Sequence, residues 1–196
     1  MKKNHYIKGT LLQVTLVASI LLFAACDNNQ NQQGSKASAE ELNDEKFDNN
    51  KQEEDAEFLV EAAEINLKEI HLGQLAQQNG SATYIKELGR MMEEAHSKSQ
   101  NDLNILAKSK NISIPSTPSD DSNDAYTNLN EKSGNDFDEA YADKMVDEHQ
   151  DAIKAFEQAA ENINDSEIKN WARATLPNLR KHLDHAIECQ NKSDNI

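Results

Sequence analysis

The chain has 196 residues and a formal net charge of −15, from 20 basic and 35 acidic residues. This charge argues against a nucleic-acid partner, because a polyanion is bound by a basic surface. The chain holds only 6 Gly, 3 Pro and 2 Cys, which argues against a β-sandwich, a β-barrel and a disulfide scaffold. The composition therefore indicates an acidic, mostly helical protein of one domain.

Residues 1–25 predict a secretory signal peptide. Lys2, Lys3 and Lys8 precede an apolar stretch that closes in two alanines directly before Cys26. A basic start, a short apolar stretch and small residues at the end are typical of such signals, whereas a membrane span needs about 20 apolar residues. The segment 22–26 resembles the lipobox of bacterial lipoproteins, with Phe23 where Leu is usual. This resemblance implies cleavage before Cys26 and acylation of its side chain.

An acylated Cys26 would hold the protein at a membrane of the bacterial cell envelope. Each buried methylene group contributes about 0.8 kcal/mol, so several acyl chains anchor a protein almost permanently. Removing the signal peptide takes away three lysines and no acids, which changes the formal charge from −15 to −18. Anionic lipid should repel such a body. We expect a lipid-anchored protein, periplasmic or at the outer membrane; the sequence specifies no protein partner.

The segments at the two ends of the mature chain predict disorder. Residues 26–52 are rich in Asn, Gln, Ser, Lys and Glu, a composition that buries too little apolar surface to offset chain entropy. We therefore expect the lipidated cysteine to be followed by a disordered tether. Residues 191–196 predict a disordered tail for the same reason.

Between residues 53 and 190, apolar residues recur with the period of an α-helix. They predict four helices at about 53–78, 81–110, 136–163 and 166–188. Gly80, in a left-handed conformation, and Ser81, as the N-cap of the next helix, predict the first turn. Asp165 lies in the second turn. Pro177 predicts a kink or a break in the fourth helix.

The connection between the second and third helices is unusually long. It runs over about residues 111–135, far beyond an ordinary helix–helix turn, and a short helix near residues 125–132 is possible within it. Two hairpins joined by one long link predict an all-α, ferritin-like four-helix bundle if the link crosses the bundle. A link that does not cross gives the alternative up-and-down topology.

Each predicted helix carries one titratable residue in its apolar stripe: Glu69, His96, His149 and His182. Burying such groups is costly unless they are paired or bound to a metal. Imidazole with a carboxylate suits Zn, Cu, Fe or Ni, and bundle metal sites draw one ligand from each of several helices. The sequence thus predicts a transition-metal site as a candidate function.

The carboxylate of this site is left open by the sequence. At about 1.5 Å per residue, the three histidines fall near the middle of the bundle, whereas Glu69 lies roughly 8 Å nearer one end. Glu64 and Glu61 match the level of the histidines better but lie beside the stripe. Glu93 is a further alternative, because it stands three residues before His96.

Two other functions fit the same residues. The protein can be a non-catalytic structural or stress-related envelope protein whose core histidines bond carbonyl or hydroxyl groups. The Glu93–His96 pair also matches the Glu-x-x-His motif of di-iron proteins, which would give an oxidase or peroxidase, although Val146 and Leu179 occupy the corresponding places before the other histidines. No phosphate loop, nucleophile elbow or zinc-protease pair is present, so the balance favours a non-enzyme.

Four segments, at residues 69–73, 92–96, 145–149 and 176–183, resemble the motifs of a bacterial family. It is the family of domains of unknown function numbered 4142, described as predicted outer membrane proteins near the ferritin-like bundles. The resemblance covers about residues 53–188 and implies an envelope-located helical bundle with no established reaction. Ala95 stands where the family usually has Asp. The family's motif positions fall on Glu69, Gly73, His96, His149, Pro177 and His182.

Overall fold

A computed structural model describes residues 34–194. These residues form six helices and no strand, which confirms the predicted all-α class. The helices are α1 (Lys36–Asp44), α2 (Asn50–Asn79), α3 (Thr83–Ser109), α4 (Asp120–Asn130), α5 (Gly134–Asn162) and α6 (Ser166–Ser193). The predicted signal peptide and Cys26 lie outside the described residues. None of these six helices is both long and apolar enough to pass through a lipid bilayer.

Polar side chains define where several helices begin. Asn49 and Asp165 accept hydrogen bonds from backbone N–H groups in the first turns of α2 and α6. Ser119 does the same for α4, which also has two aspartates in its first turn. Such caps satisfy N–H groups that have no partner within the helix. α6 continues through Pro177 from Ser166 to Ser193, so the proline does not split the helix.

The two long hairpins, α2–α3 and α5–α6, are joined at both ends of the bundle by two buried aspartates, Asp138 and Asp55. Asp138, near the start of α5, accepts hydrogen bonds from the N–H groups of Ser81 and Ala82 at 2.8 Å. Asp55, near the start of α2, accepts from the N–H groups of Asn164 and Asp165 at 2.9 and 3.3 Å. The start of each hairpin therefore lies beside the turn of the other.

This arrangement settles the topology. Because α3 and α5 both start beside the α2–α3 turn, they run in the same direction, and the link between them must cross the length of the bundle. One crossover between two antiparallel hairpins is the ferritin-like connection. The predicted ferritin-like bundle is thus what the described residues form, rather than the up-and-down alternative.

The first turn differs in detail from its prediction. Gly80 has φ −53° and is not left-handed, and Ala82, rather than Ser81, is the N-cap of α3. The side chain of Ala82 cannot accept a hydrogen bond, so α3 has no side-chain cap. Asp138 of another helix instead accepts from the N–H groups of Ser81 and Ala82, directly before the first turn of α3. The Ser81 hydroxyl donates to the same carboxylate at 2.6 Å. The sequence around the turn does not predict these hydrogen bonds, because Asp138 is 57 residues away from Ser81.

The crossover link carries α4 and packs against α2. The predicted short helix at 125–132 is present but begins earlier, at Asp120. Leu129 is buried, and the ring of Tyr126 stacks on His71 with 4.2 Å between ring centroids. These contacts fix the link along the bundle.

The expectation of disorder up to residue 52 is corrected by the structure. α1 occupies residues 36–44, and Phe47 is buried against the bundle. The Asn43 side chain donates to the Ser113 carbonyl at 2.8 Å and accepts from its N–H at 2.7 Å. Polar composition predicted a tether, but here a polar side chain pairs with the backbone of the crossover link. α2 accordingly begins at Asn50 rather than at residue 53.

The predicted tail also differs, because α6 extends to Ser193. The Ser193 hydroxyl lies 3.2 Å from the hydroxyl of Tyr84 on α3. The expectation of disorder from residue 191 is therefore corrected for residues 191–193, and the last two residues lie outside the described part of the chain.

Two apolar clusters fill the bundle, one towards each end. The first is built around Phe58, Phe156 and Trp171, with the two phenylalanine rings 5.2 Å apart in an edge-to-face contact. The second is built around Phe137 and Tyr141, whose rings are 6.1 Å apart. Between them lies a polar layer of buried side chains: Asn66, Glu69, His96, Gln100, His149 and His182.

We expect Asp138→Ala to lower the free energy of unfolding by about 1–3 kcal/mol, since three hydrogen bonds to this buried carboxylate would be lost. Urea denaturation measures this difference. Glu139→Ala, at an exposed neighbouring position, should change stability by less than about 0.5 kcal/mol. Equal effects of the two substitutions would contradict the assigned role of Asp138.

Candidate metal centre

Three histidines from three helices meet in the polar layer. Their ring centroids are 5.6 Å apart for His96–His149 and 5.4 Å apart for each pair with His182. One nitrogen of each ring lies within 4.8 Å of the corresponding atoms of the other two. All three side chains are buried, with exposures of 2, 1 and 8%. The predicted common depth of the histidines on α3, α5 and α6 is thus what the fold produces.

Hydrogen bonds orient two of the rings. His149 Nδ1 lies 2.9 Å from the carbonyl oxygen of Met145, one turn earlier in α5. A carbonyl only accepts, so this contact places the proton on Nδ1 and leaves Nε2 of the neutral ring with a free electron pair. His96 Nδ1 lies 3.0 Å from Asn66 Oδ1, an amide oxygen that favours the same tautomer.

Each ring also has a buried nitrogen with no hydrogen-bond partner among the described residues. These atoms are His96 Nε2, His149 Nε2 and His182 Nδ1. A buried polar atom without a partner costs about 1–3 kcal/mol, and proteins seldom leave such atoms unsatisfied. Three rings with such an atom, meeting in one cluster, could hold a single metal ion.

Burial keeps these rings neutral at pH 7. It lowers the pKa of His149 and of His182 to about 4. Burial, with the neighbouring His149 and His182, holds the pKa of His96 well below its usual value. Neutral imidazole is the form that binds a metal. The three rings therefore need not lose a proton to bind a metal ion near neutral pH.

Glu69 lies beside the cluster rather than within it. Its Oε1 is 3.9 Å from His149 Nδ1, the nitrogen that faces Met145, and its Oε2 is buried without a partner. Burial, and to a smaller extent the nearby Glu148 carboxylate, raises the pKa of Glu69 to about 8. Glu69 is therefore mostly a neutral carboxylic acid at pH 7, next to a histidine of the cluster.

The three alternative carboxylates do not join the histidines either. Among residues 34–194, the group of potential metal ligands contains only the histidines. Glu93 is bonded by the side-chain amides of Gln74 and Gln77 on α2. Glu61 is exposed, and Glu64 is half-buried with one buried, unpartnered oxygen.

Sequence reasoning missed Asn66, which is the contribution of α2 to this layer. It is 2% exposed, bonds His96 and donates to Gln100 Oε1 at 3.3 Å. A signal was present in the sequence: Asn66 follows Asp55 by eleven residues, just as His149 follows Asp138. Because the two aspartates hold equivalent turns, equal spacing brings Asn66 and His149 to equivalent depths.

A groove between α3 and α6 connects the cluster with the surface. It has a volume of about 660 Å³, and its lining includes His96 and His182. Apolar side chains such as Trp171 and Phe156 form part of its wall, and Arg90 and Lys181 are among its exposed residues. An ion or a small molecule therefore has a route to two of the three rings.

Residues 36–188 match the family model of the domain of unknown function DUF4142. The chain belongs to the DUF4142 family. No curated protein and no solved structure gives a significant match to the chain. The match begins at the start of α1, so α1 is part of the DUF4142 domain of this protein and not of a tether outside it.

The structure gives a physical reason for Gly73, one of the positions that carried the resemblance to DUF4142 proteins. A Cβ atom added at Gly73 would lie 2.6 Å from the carbonyl oxygen of Gly89, and one added at Gly89 would lie 2.7 Å from that of Gly73. Such distances are too short for real side chains, so the two glycines allow the backbones of α2 and α3 to touch. This contact lies about two turns from Asn66 and His96 and holds their helices close.

The raised pKa of Glu69 predicts how stability depends on pH. The folded state holds this proton up to about pH 8, whereas an unfolded glutamate loses it near pH 4.5, so Glu69 destabilises the fold progressively as the pH rises between these values. Glu69→Gln should remove this decline, which has a maximum slope of about 1.4 kcal/mol per pH unit. Urea denaturation between about pH 5 and pH 9 measures it.

The exposed Glu94→Gln substitution is the matched control and should leave the pH profile parallel to that of the unmodified protein. If Glu69→Gln also gives a parallel profile, Glu69 does not bind its proton more tightly in the folded state.

Proposed function

We propose that this protein is a lipid-anchored helical bundle of the bacterial cell envelope that binds a transition-metal ion through His96, His149 and His182. The observation that carries the metal-binding part is the meeting of three buried imidazoles, each with one unpartnered nitrogen. A single metal ion would provide a partner for all three atoms at once. No other group of side chains in residues 34–194 offers such a set.

The ligand chemistry fits first-row transition metals. Imidazole nitrogens suit Zn, Cu, Fe and Ni, and the affinity of such a site generally rises from Fe(II) through Ni(II) to Cu(II) and is lower for Zn(II). With metal–nitrogen bonds of about 2.1 Å, two ligand nitrogens are at most about 4.2 Å apart. The nitrogens of the cluster lie within 4.8 Å of one another, so small rotations of the rings suffice for binding.

The hydrogen bonds at Nδ1 of His149 and His96 support the same function. Metal-binding histidines usually donate their other N–H to a carbonyl, carboxylate or amide oxygen, which fixes the ring. His149 has the Met145 carbonyl in this role, and His96 has the Asn66 amide. The rings are therefore held before an ion arrives, which lowers the entropy lost on binding.

The structural alternative is a bundle whose histidines serve only as core hydrogen-bonding groups. The contacts to Met145 and Asn66 are compatible with it, but it leaves three nitrogens buried without partners. A di-iron oxidase or peroxidase has less support, because Glu69 and Glu93 lie outside the histidine cluster. We therefore propose mononuclear metal binding.

The envelope part of the proposal is supported by the first 26 residues. They combine a basic start, an apolar stretch and a lipobox-like segment before Cys26, and several acyl chains on one cysteine give an almost permanent membrane anchor. The high negative charge of the remaining chain would keep the bundle away from anionic lipid.

Titrating metal-free full-length protein with Zn, Cu, Ni or Fe(II) should give stoichiometric uptake, measured by elemental analysis, for at least one of these ions. At a free concentration of about 100 Kd, the ion should stabilise the fold by about 2.7 kcal/mol. The triple variant His96→Ala, His149→Ala, His182→Ala should lose this uptake, whereas His185→Ala, with a side chain 43% exposed, should retain it.

The structural alternative gives a different result in the same experiment. Each His→Ala substitution would lower stability by about 1–3 kcal/mol, with or without metal. Absence of stoichiometric uptake, or equal uptake by the triple variant, would overturn the metal-binding function.

Cys26→Ala should abolish lipid attachment when the full chain is produced in a bacterium. We expect radiolabelled palmitate to be incorporated into the unmodified protein but not into this variant, which should move from the membrane fraction to the soluble fraction. Cys189→Ala removes the other cysteine and should retain the label. Label in the Cys26→Ala variant would rule out lipidation at this residue.

A further inference from the structure

The histidine cluster offers three protein ligands, which is one fewer than a closed tetrahedral site needs. Structural zinc sites have four protein ligands, whereas sites with three histidines complete their coordination with water or another exogenous ligand. In residues 34–194, no cysteine, aspartate or glutamate belongs to the cluster. The number of ligands thus indicates an open coordination position.

Two buried polar side chains lie beside the histidines, and both face ring atoms other than the unpartnered nitrogens. Glu69 lies 3.9 Å from Nδ1 of His149, the ring atom already directed at the Met145 carbonyl. Asn66 uses its oxygen for His96 Nδ1 and its amide nitrogen for Gln100. Asn66 would have to give up a hydrogen bond to become a fourth ligand, and Glu69 faces Nδ1 of His149 rather than its unpartnered Nε2.

The groove between α3 and α6 gives an outside ligand access to the cluster. His96 and His182 both contribute to its lining, and Ser99 and Thr175 lie half-buried in its walls. Its volume of about 660 Å³ lies within the range of small-molecule pockets. Water and small anions can therefore approach the two rings without any change of the backbone.

The charges along the groove are balanced, unlike those of the whole chain. Three basic and three acidic side chains line it: Arg90, Lys98, Lys181, Glu87, Glu94 and Asp102. Lys98 and Asp102 form an ion pair at 2.8 Å. A small anion would therefore meet much less repulsion here than the formal charge of −15 of the chain suggests.

From these observations, we infer that the metal ion keeps one coordination position for a small exogenous ligand, water or a small anion, which enters through the groove between α3 and α6. This inference rests on the proposed metal-binding function. No covalent change is involved: the anion replaces a metal-bound water, and the protein ligands stay the same. The site would then belong to the open, ligand-accepting class of metal sites rather than to the closed, structural class.

The test uses the full-length protein loaded stoichiometrically with Cu(II) and azide as the probe. Azide bound directly to Cu(II) gives a ligand-to-metal charge-transfer band, and we expect this band to appear and to saturate with azide concentration. Ser99→Trp or Thr175→Trp should fill the groove and weaken azide binding by about tenfold or more, whereas Ser99→Ala and Thr175→Val should leave it unchanged. Bound copper, measured by elemental analysis, should be equal in all five proteins.

The possible results separate the two proposals. A site that binds Zn, Ni or Fe(II) through imidazole nitrogens is expected to bind Cu(II) at least as tightly. Protein that binds no copper therefore overturns both the metal-binding function and this inference. Protein that binds copper without an azide band keeps the metal site but overturns the open position. Equal azide affinity in the tryptophan and control variants, at equal copper content, overturns the groove as the route.

Discussion

Burying an imidazole removes its hydrogen bonds with water, and this bundle buries three of them in one layer. Only two of the rings have a nitrogen bonded within the layer, to Asn66 and to the Met145 carbonyl, and one nitrogen of every ring has no partner. Such a layer weakens a core unless something else binds it. The apolar clusters on either side of the layer must therefore hold the helices in register. The free energy lost by burying these unpartnered nitrogens is the main reason to assign the layer a function.

The register is set by contacts far from the histidines. Asp55 and Asp138 each bind the turn of the opposite hairpin, which fixes how far α2 and α5 slide along one another. Gly73 and Gly89 bring the backbones of α2 and α3 together. Small errors in either contact would separate the rings, because a shift of one residue along a helix moves a side chain by about 1.5 Å.

The regular parts of the fold could be predicted because their signals are local. Helical periodicity gave the four long helices within a few residues, and Asp165, which the sequence placed in the second turn, caps α6 through bonds to residues two and three positions away. The periodicity was less accurate near the middle of the bundle. There the apolar stripes, counted in steps of three and four residues from Phe58 and from Ile85, pass through Ile65 and Ser99. In the structure Asn66 and Gln100 are the buried residues instead. A strict seven-residue stripe drifts by about 20° per heptad on a straight helix, so such errors grow with length.

The sequence by itself determined the helical class, the depth of His96, His149 and His182 along their helices, and the polar character of the layer, because each depends on spacing within one helix. Only the tertiary structure decided the crossover topology and the place of Glu69 beside the cluster rather than in it. It also decided that residues 36–44 fold as α1, which the hydrogen bonds between Asn43 and Ser113 hold against the crossover link. These features depend on the rotation and contact of separate helices. Residues distant along the chain determine such contacts jointly, and no single segment specifies them.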